Sequence, residues 1–276
     1  MEYREYKPDH CLARYIECYW SAYSEKPPFQ DRERLIPDGT IELMFNFGDN
    51  YAQVTNDTKS EIKGSHIIGL RKKALIISQT ARQDFFSIRF RLGGTYPFFK
   101  IPVYLFTDGF FSLKELLGKK VEELESRLYD EKDNHARVEI ANRYWLERLQ
   151  TDEDYRFVES AMPALLQTPN IKAVATDFNC GYKMMERKFS RVLGLSPAEL
   201  LKVSRFNKAI LQMYSCRFAS LTDVAHAVGY YDQSHFIRDF KQLTGLSPKD
   251  FLKSQFTIVQ VIQPALAQRM SNLYNL

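Results

Sequence analysis

The chain has 276 residues, of which 45% are hydrophobic, 26% charged and 14% aromatic, and its formal net charge is +4. That balance belongs to a folded globular chain of roughly two domains and excludes a mainly disordered or collagen-like one. No apolar run approaches the ~18–20 residues that span a bilayer, and the charged start Met1–Lys7 lacks the apolar core of a signal peptide. A cytoplasmic location without a membrane partner is therefore expected.

The first half carries strand patterns. From Thr40 to Phe47 the apolar residues Ile41, Leu43, Phe45 and Phe47 recur with period two. Gly48-Asp49-Asn50 reads as a turn into a strand at Tyr51–Thr55. Further strands are expected at His66–Leu70, Ala74–Thr80 and Gln83–Arg91. Short strands without intervening helices suggest an antiparallel sheet rolled into a barrel. The alternating aromatics read more simply as core than as a pocket in which Arg89 meets an anion or carbohydrate, and Pro37-Asp38-Gly39 as a turn. After Gly93-Gly94 the pattern turns helical through Leu113–Leu128, then again through Ile140, Tyr144, Trp145 and Leu149. Thr151–Asp154 caps one more helix, which Pro163 is expected to kink or end.

The last third is basic and internally repeated. Between Asn170 and Lys253 there are 13 Lys/Arg against 7 Asp/Glu, an excess of +6, while the rest of the chain holds 25 against 27. Excess positive charge attracts polyanions, nucleic acid first among them. Arg187–Lys202 and Arg238–Lys253, 51 residues apart, are identical at 8 of 16 positions, where composition alone gives roughly one. In each copy an amphipathic helix (Met185, Phe189, Val192; Phe236, Phe240, Leu243) ends at a glycine, Gly194 or Gly245. Ser196-Pro-Ala-Glu199 and Ser247-Pro-Lys-Asp250 then open the next helix with a capping serine and an acid three residues on. A shorter helix precedes each copy, capped by Asn170 or Ser220. The turns that follow hold Asn179-Cys180-Gly181 and Gly229, and Asp232 caps the second long helix.

Helix, tight turn and helix form the arrangement of a DNA reader. Opposite the apolar trios stand Lys183, Met184, Arg187 and Arg191 in the first unit, and Ser234, Arg238, Lys241 and Gln242 in the second. Arg and Gln have the donor geometry for base edges, whereas Lys and Ser suit phosphate oxygens. One exposed arginine is usually only solvated. An arginine repeated at 187 and 238, on the second helix of both units, favours the DNA reading over a helical bundle that binds nothing.

Residues ~165–255 resemble the DNA-binding region of AraC/XylS-type bacterial transcription regulators. The resemblance rests on Val174-Ala175, Arg187-Lys-Phe189, Gly194-Leu-Ser-Pro197, Arg205-Phe-Asn-Lys-Ala209 and the whole stretch Asp223–Pro248. It implies two helix-turn-helix units joined by a long helix, about Pro197 to Tyr214, that enter successive major grooves. It further implies base reading by Lys183, Glu186 and Arg187, and by Gln233, Ser234 and Arg238, with His235 meeting phosphate. Arg191, Lys241 and Gln242 complete the expected DNA contact set. Gly181, where the pattern has a small hydroxyl cap, and Asn179, where it has glycine, are departures in the first turn. Tyr15–Trp20, Leu35–Gly39 with Glu42-Leu43, and Arg89–Gly94 resemble an uncharacterised β-rich domain that precedes such regions, with Leu92 where proline is expected.

The expected fold class is α+β. A β-rich, barrel-like domain with helices covers residues 1–135, a helical connector 136–167, an all-α tandem helix-turn-helix domain 168–254, and a tail 255–276. The tail, with Phe256, Ile258, Val259, Val261 and Ile262, suits a strand, a helix packed on the other domain, or a dimer contact. No catalytic constellation is present: the five histidines lack H-x-x-x-H spacing, and there is no nucleophile elbow, phosphate loop or dinucleotide fingerprint. The four cysteines (Cys11, Cys18, Cys180, Cys216) form no paired zinc motif, although Cys11 and Cys18 would share a helix face if their segment were helical. No enzyme activity, cofactor or metal is expected. The function expected is sequence-specific transcription regulation, with a non-specific architectural DNA binder and an enzyme sited in the β-rich domain as alternatives. Expected partners are double-stranded DNA, a small-molecule effector acting on the orientation or dimerisation of the N-terminal domain, a second copy of the chain, and RNA polymerase.

Overall fold

The central strands of the N-terminal half carry apolar residues on both faces, and that pattern demands a layer on either side. The computed structural model describes residues 2–25, 32–79, 82–214 and 220–254. Its first nine elements are β1 (Glu2–Tyr6), β2 (Ile16–Ser24), β3 (Arg32–Leu35), β4 (Ile41–Asn46), β5 (Tyr51–Thr55), β6 (Thr58–Ile62), β7 (His66–Ile68), β8 (Leu75–Ser78) and β9 (Gln83–Phe90). A short β10 (Phe110–Ser112) follows later. One sheet runs β1-β2-β9-β4-β7-β10 and a second β3-β8-β5-β6. All their pairings are antiparallel. The β-rich half is thus two opposed sheets.

Alternation sorts the side chains between the layers. Ile41, Leu43 and Phe45 of β4, with Phe86, Ile88 and Phe90 of β9, join a buried cluster with helical residues such as Leu124 and Trp145. Met44 and Phe85, from the opposite faces, pack with Tyr51, Ile62 and Ile77 of the second sheet. A bulge in β2 between Ile16 and Cys18 shifts the phase by one residue. Ile16 and Tyr19 therefore share the helix side, while Cys18, Trp20 and Ala22 face the second sheet. Arg89 lies between the sheets at 3% exposure. Its Nε donates to Glu42 Oε1 (2.5 Å), Nη1 lies 3.4 Å from Glu5 Oε1, and the guanidinium sits 5.8 Å from the Trp20 ring centre. Its charge is thus committed to carboxylates, and the neighbouring aromatics are core.

Helices cover the outer face of the first sheet. They are α1 (Tyr96–Phe99), α2 (Leu113–Leu117), α3 (Lys119–Asp130), α4 (Asn134–Leu146) and α5 (Glu153–Gln167), with a 3-10 turn at Val103–Phe106. The single helix expected over Leu113–Leu128 is two, because Gly118 (φ 71°, ψ −165°) turns the chain between them. Asp152 caps α5 through the Tyr155 amide, but Pro163 does not end it. The missing N–H is outweighed by burial of Tyr155, Val158, Ala161, Met162 and Leu165 along one face. Cys11 is in an exposed turn and Cys18 in a strand, so they share no helix face. Strands β1, β3, β6 and β10 have too few alternating apolar residues to read as strands from sequence; β6 is exposed at four of its five positions. The tail and Cys216 lie outside the described residues.

The remaining helices are α6 (Ile171–Asp177), α7 (Tyr182–Leu193), α8 (Pro197–Tyr214), α9 (Leu221–Ala227), α10 (Gln233–Thr244) and α11 (Pro248–Lys253). The first of the two helical repeats has no core of its own. Met185, Phe189, Val192 and Leu193 share one buried cluster with Leu70, Val103, Phe106 and Trp145 of the N-terminal half. The second repeat closes around Phe206, Ile210, Val224, Phe236, Phe240, Leu243 and Phe251, and Ile36 reaches it from the other half.

Two predictions follow from this packing. Gly194 and Gly245 end α7 and α10 at φ 75° and 76°, where a Cβ costs ~1–2 kcal/mol. A Cβ on Gly194 would also lie 2.9 Å from Val103 Cγ1 and 3.0 Å from Leu70 Cδ2, whereas on Gly245 it meets only the end of Arg34. Chemical denaturation will therefore show Gly194→Ala costing more than Gly245→Ala, by roughly 1–3 kcal/mol of overpacking. The second concerns His66, whose Nδ1 donates to Gly64 O (2.8 Å) while its Nε2 accepts from the Tyr51 hydroxyl (2.6 Å). Burial lowers its pKa to about 4 from 6.5, so the folded state keeps it neutral where the unfolded chain binds a proton. Stability falls as pH drops from 6.5 towards 4, by up to about 3 kcal/mol from this group. His66→Phe will flatten that part of the stability–pH curve.

Candidate nucleic-acid interface

Each unit is built by the same local rules. Asn170 Oδ1 accepts from the Ala173 amide (3.1 Å) to start α6, and Ser220 Oγ from the Asp223 amide (3.2 Å) to start α9. Asn179 turns the first unit at φ 49°. Asp232 Oδ1 accepts from the His235 amide (2.7 Å) and fixes the start of α10. Gly181 at the start of α7 makes no side-chain cap. After α7, Ser196 and Glu199 cap α8 reciprocally, with the Ser196 amide 2.7 Å from Glu199 Oε2 and the Glu199 amide 3.2 Å from Ser196 Oγ. Ser247 caps α11 through the Asp250 amide at 3.2 Å.

Burying Met185, Phe189 and Val192 turns the opposite side of α7 to solvent, and burying Phe236, Phe240 and Leu243 does the same for α10. Lys183, Arg187 and Arg191 are exposed, as are Ser234, Arg238, Lys241 and Gln242, while Glu186, Gln233 and His235 are half-buried. Arg187 and Arg238 occupy equivalent, outward positions. Four of the expected residues already have side-chain partners within the chain. Arg191 Nε donates to the Tyr96 hydroxyl (2.9 Å) and lies 3.7 Å from Asp154 Oδ2, which draws it towards the N-terminal half. Gln233 Oε1 accepts from Thr222 Oγ1 (2.9 Å), and Gln242 Oε1 from Lys202 Nζ (2.6 Å). His235 packs edge-on to Tyr230, with Nε2 3.7 Å from Asp239 Oδ2.

The second unit is locked to α8, since Lys202 Nζ lies 2.9 Å from Asp239 Oδ1 and the Phe206 ring meets Phe240 edge-on. The first is locked to α5. Lys188, 8% exposed, pairs with Asp154 and lies 5.3 Å from the Phe157 ring centre. Lys188 lies three residues after Met185 and four before Val192, and that spacing puts it on the buried face, a signal the sequence carries. Tyr96 donates to Asp152 Oδ2 (3.1 Å) as it accepts from Arg191, and no sequence pattern marks it. Among the described residues, one group of metal-ligand type comes together, Asp9, His10 and Cys11 on the turn before β2. His10 and Cys11 are exposed there.

Residues 174–254 match the family described as a helix-turn-helix domain. The C-terminal region is an AraC-type helix-turn-helix domain. Residues 4–112 match a domain of unknown function, DUF6597, which covers most of the two-sheet half. The helix-turn-helix region is similar to the HTH-type transcriptional activator RhaS of Escherichia coli, 30% identical over 91 residues, 33% of this chain and 32% of RhaS. The chain thus spans about a third of the length of the curated relatives it matches. Two solved structures of ToxT from Vibrio cholerae align with it at 10% and 11% identity. They give TM-scores of 0.45 and 0.42, over 85% and 80% of this chain and 97% and 95% of theirs. Among the described residues no helix is long and apolar enough to cross a membrane.

The unequal capping of the two long helices is testable. Asp232→Ala will cost about 1 kcal/mol in thermal or denaturant unfolding. Gly181→Ser, at φ −78° with open space around the new Cβ, will instead gain a few tenths of a kcal/mol.

Proposed function

We propose that the chain is a sequence-specific, DNA-binding transcription regulator whose two helix-turn-helix units enter successive major grooves. The observation that carries this reading is the pair Arg187 and Arg238. They stand at the same position of a duplicated motif, each exposed on the second helix of its unit while an apolar trio anchors the other side. A guanidinium can form two hydrogen bonds to guanine O6 and N7. Between the units α8 has 18 residues, about 27 Å at ~1.5 Å per residue, against ~34 Å between successive major grooves. The activator name of the RhaS relatives supports the regulatory reading.

In this reading Lys183, Glu186, Arg187, Gln233, Ser234 and Arg238 meet base edges, and His235, Lys241 and Gln242 meet the backbone. Arg191 reaches phosphate only by leaving Tyr96. The two-sheet half carries control, by a small effector, by dimerisation with a second copy, or through contact with RNA polymerase. Its shared core with the first unit supports such coupling, because a shift in one half cannot leave α7 untouched.

Selection of bound sequences from a random duplex pool by the full chain tests the reading. One bipartite consensus is expected. On that site Arg187→Ala or Arg238→Ala will cost ~1–3 kcal/mol and relax preference at one base, whereas Lys241→Ala will weaken all duplexes alike and reduce the salt dependence. Equal affinity for every duplex would instead identify an architectural binder.

A further inference from the structure

One loop of the N-terminal half touches both helix-turn-helix units. Leu70 packs over Gly194 at the end of α7, Lys72 Nζ lies 3.0 Å from Glu199 Oε1 at the start of α8, and the Ala74 amide donates to Leu243 O (2.7 Å) at the end of α10. Beside it Arg34 Nη1 donates to Thr244 O (2.5 Å), and Ile36 joins the buried cluster of the second unit. Both covered segments are the same piece of the repeat, the end of the long helix and the glycine turn after it.

The loop is itself stiff. Arg71, 4% exposed, donates through Nε to Ile36 O (2.9 Å) and through Nη2 to Thr40 Oγ1 (3.0 Å), and it pairs with Asp38. The amides of Lys72 and Lys73 donate to Asp108 Oδ1 (2.6 and 3.2 Å), and the Asp108 amide returns to Leu70 O (2.9 Å). Segments 34–40, 70–74 and 106–109 are therefore tied to one another.

The two units are attached to that body unequally. The first shares its hydrophobic core, but the second has a separate core, which among the described residues Ile36 of the N-terminal half joins. The second unit is locked to α8, so any bending along α8 carries α10 with it. We propose that Arg34, Ile36 and Ala74 are positioning residues that hold the second unit at a fixed offset from the first, so that the N-terminal half sets the spacing of the two DNA sub-sites the protein accepts. The proposal rests on the reading above. Its chemistry is specific: donors of the N-terminal half satisfy the last carbonyls of α10, which a helix end leaves without intrahelical partners.

The test measures affinity of the full chain for its selected site and for versions with about one or two base pairs added or removed between the sub-sites. Each base pair displaces one sub-site by about 3.4 Å and turns it by about 34°. The wild type will lose roughly tenfold or more on misspaced sites, the scale of a lost base contact. Arg34→Ala will bind the correct spacing within about threefold of wild type, yet lose less than about threefold on misspaced sites. Arg34→Lys, which keeps a donor, will hold the wild-type profile. Ile36→Ala opens the same contact from the apolar side and serves if Arg34→Ala does not fold. A folded variant of either kind with the wild-type spacing profile overturns the brace alone. A wild-type chain that selects no bipartite site overturns the brace together with the function it rests on.

Discussion

The close approach of α7 to the N-terminal half is the constraint on which the molecule depends. Gly194 has Leu70, Val103 and Thr107 side chains where a Cβ would stand, and Gly93 in the other half faces Leu193 in the same way. Two glycines thus let two backbones come near enough for Met185, Phe189, Val192 and Leu193 to complete a core begun by strands. Interiors pack at close to crystal density, so such a junction tolerates neither added bulk nor small slippage. Helix α7, the second helix of the first unit, is in consequence part of the N-terminal core.

Polar contacts fix the direction of α7 at this junction. Asp152 and Asp154, at the start of α5, hold Tyr96 and Lys100 of one half and Lys188 and Arg191 of the other. Lys188 is buried and its pair with Asp154 is partly shielded from water, whereas Arg191 is half-exposed and its pair with Asp154 is worth little in isolation. Burial of the Lys188 pair supplies directional restraint at a desolvation cost, and the apolar contacts around it supply the cohesion.

How much of this was legible in the sequence depended on whether a segment's structure is decided locally. The repeat, its caps and its glycine stops are local, and residues such as Asn170, Ser196 and Asp232 hold the amides their spacing foretold. Helix α8 begins at Pro197, where the Ser196-Pro-Ala-Glu199 start signal places it. The alternating strands β4, β5 and β9 were legible for the same reason. Edge strands such as β6 were not, because neighbours rather than apolar periodicity make them strands. Pro163 does not end α5, because packing along the helix outweighs one lost hydrogen bond. In the candidate interface, outward-facing residues follow from helical period, but the turning of Arg191 to Tyr96 involves residues 95 positions apart and leaves no mark in the chain.

The tandem arrangement of the two units has a consequence for any duplex they grip. The copies follow one another by translation along the chain, and outward residues have diverged between them: Lys183 answers to Ser234 and Arg191 to Gln242. A lone protomer built this way has a head and a tail. On the proposed function, the sequence read would be lopsided instead of palindromic, and the strand on which that sequence lies would decide which flank of the bound protein faces a neighbouring gene.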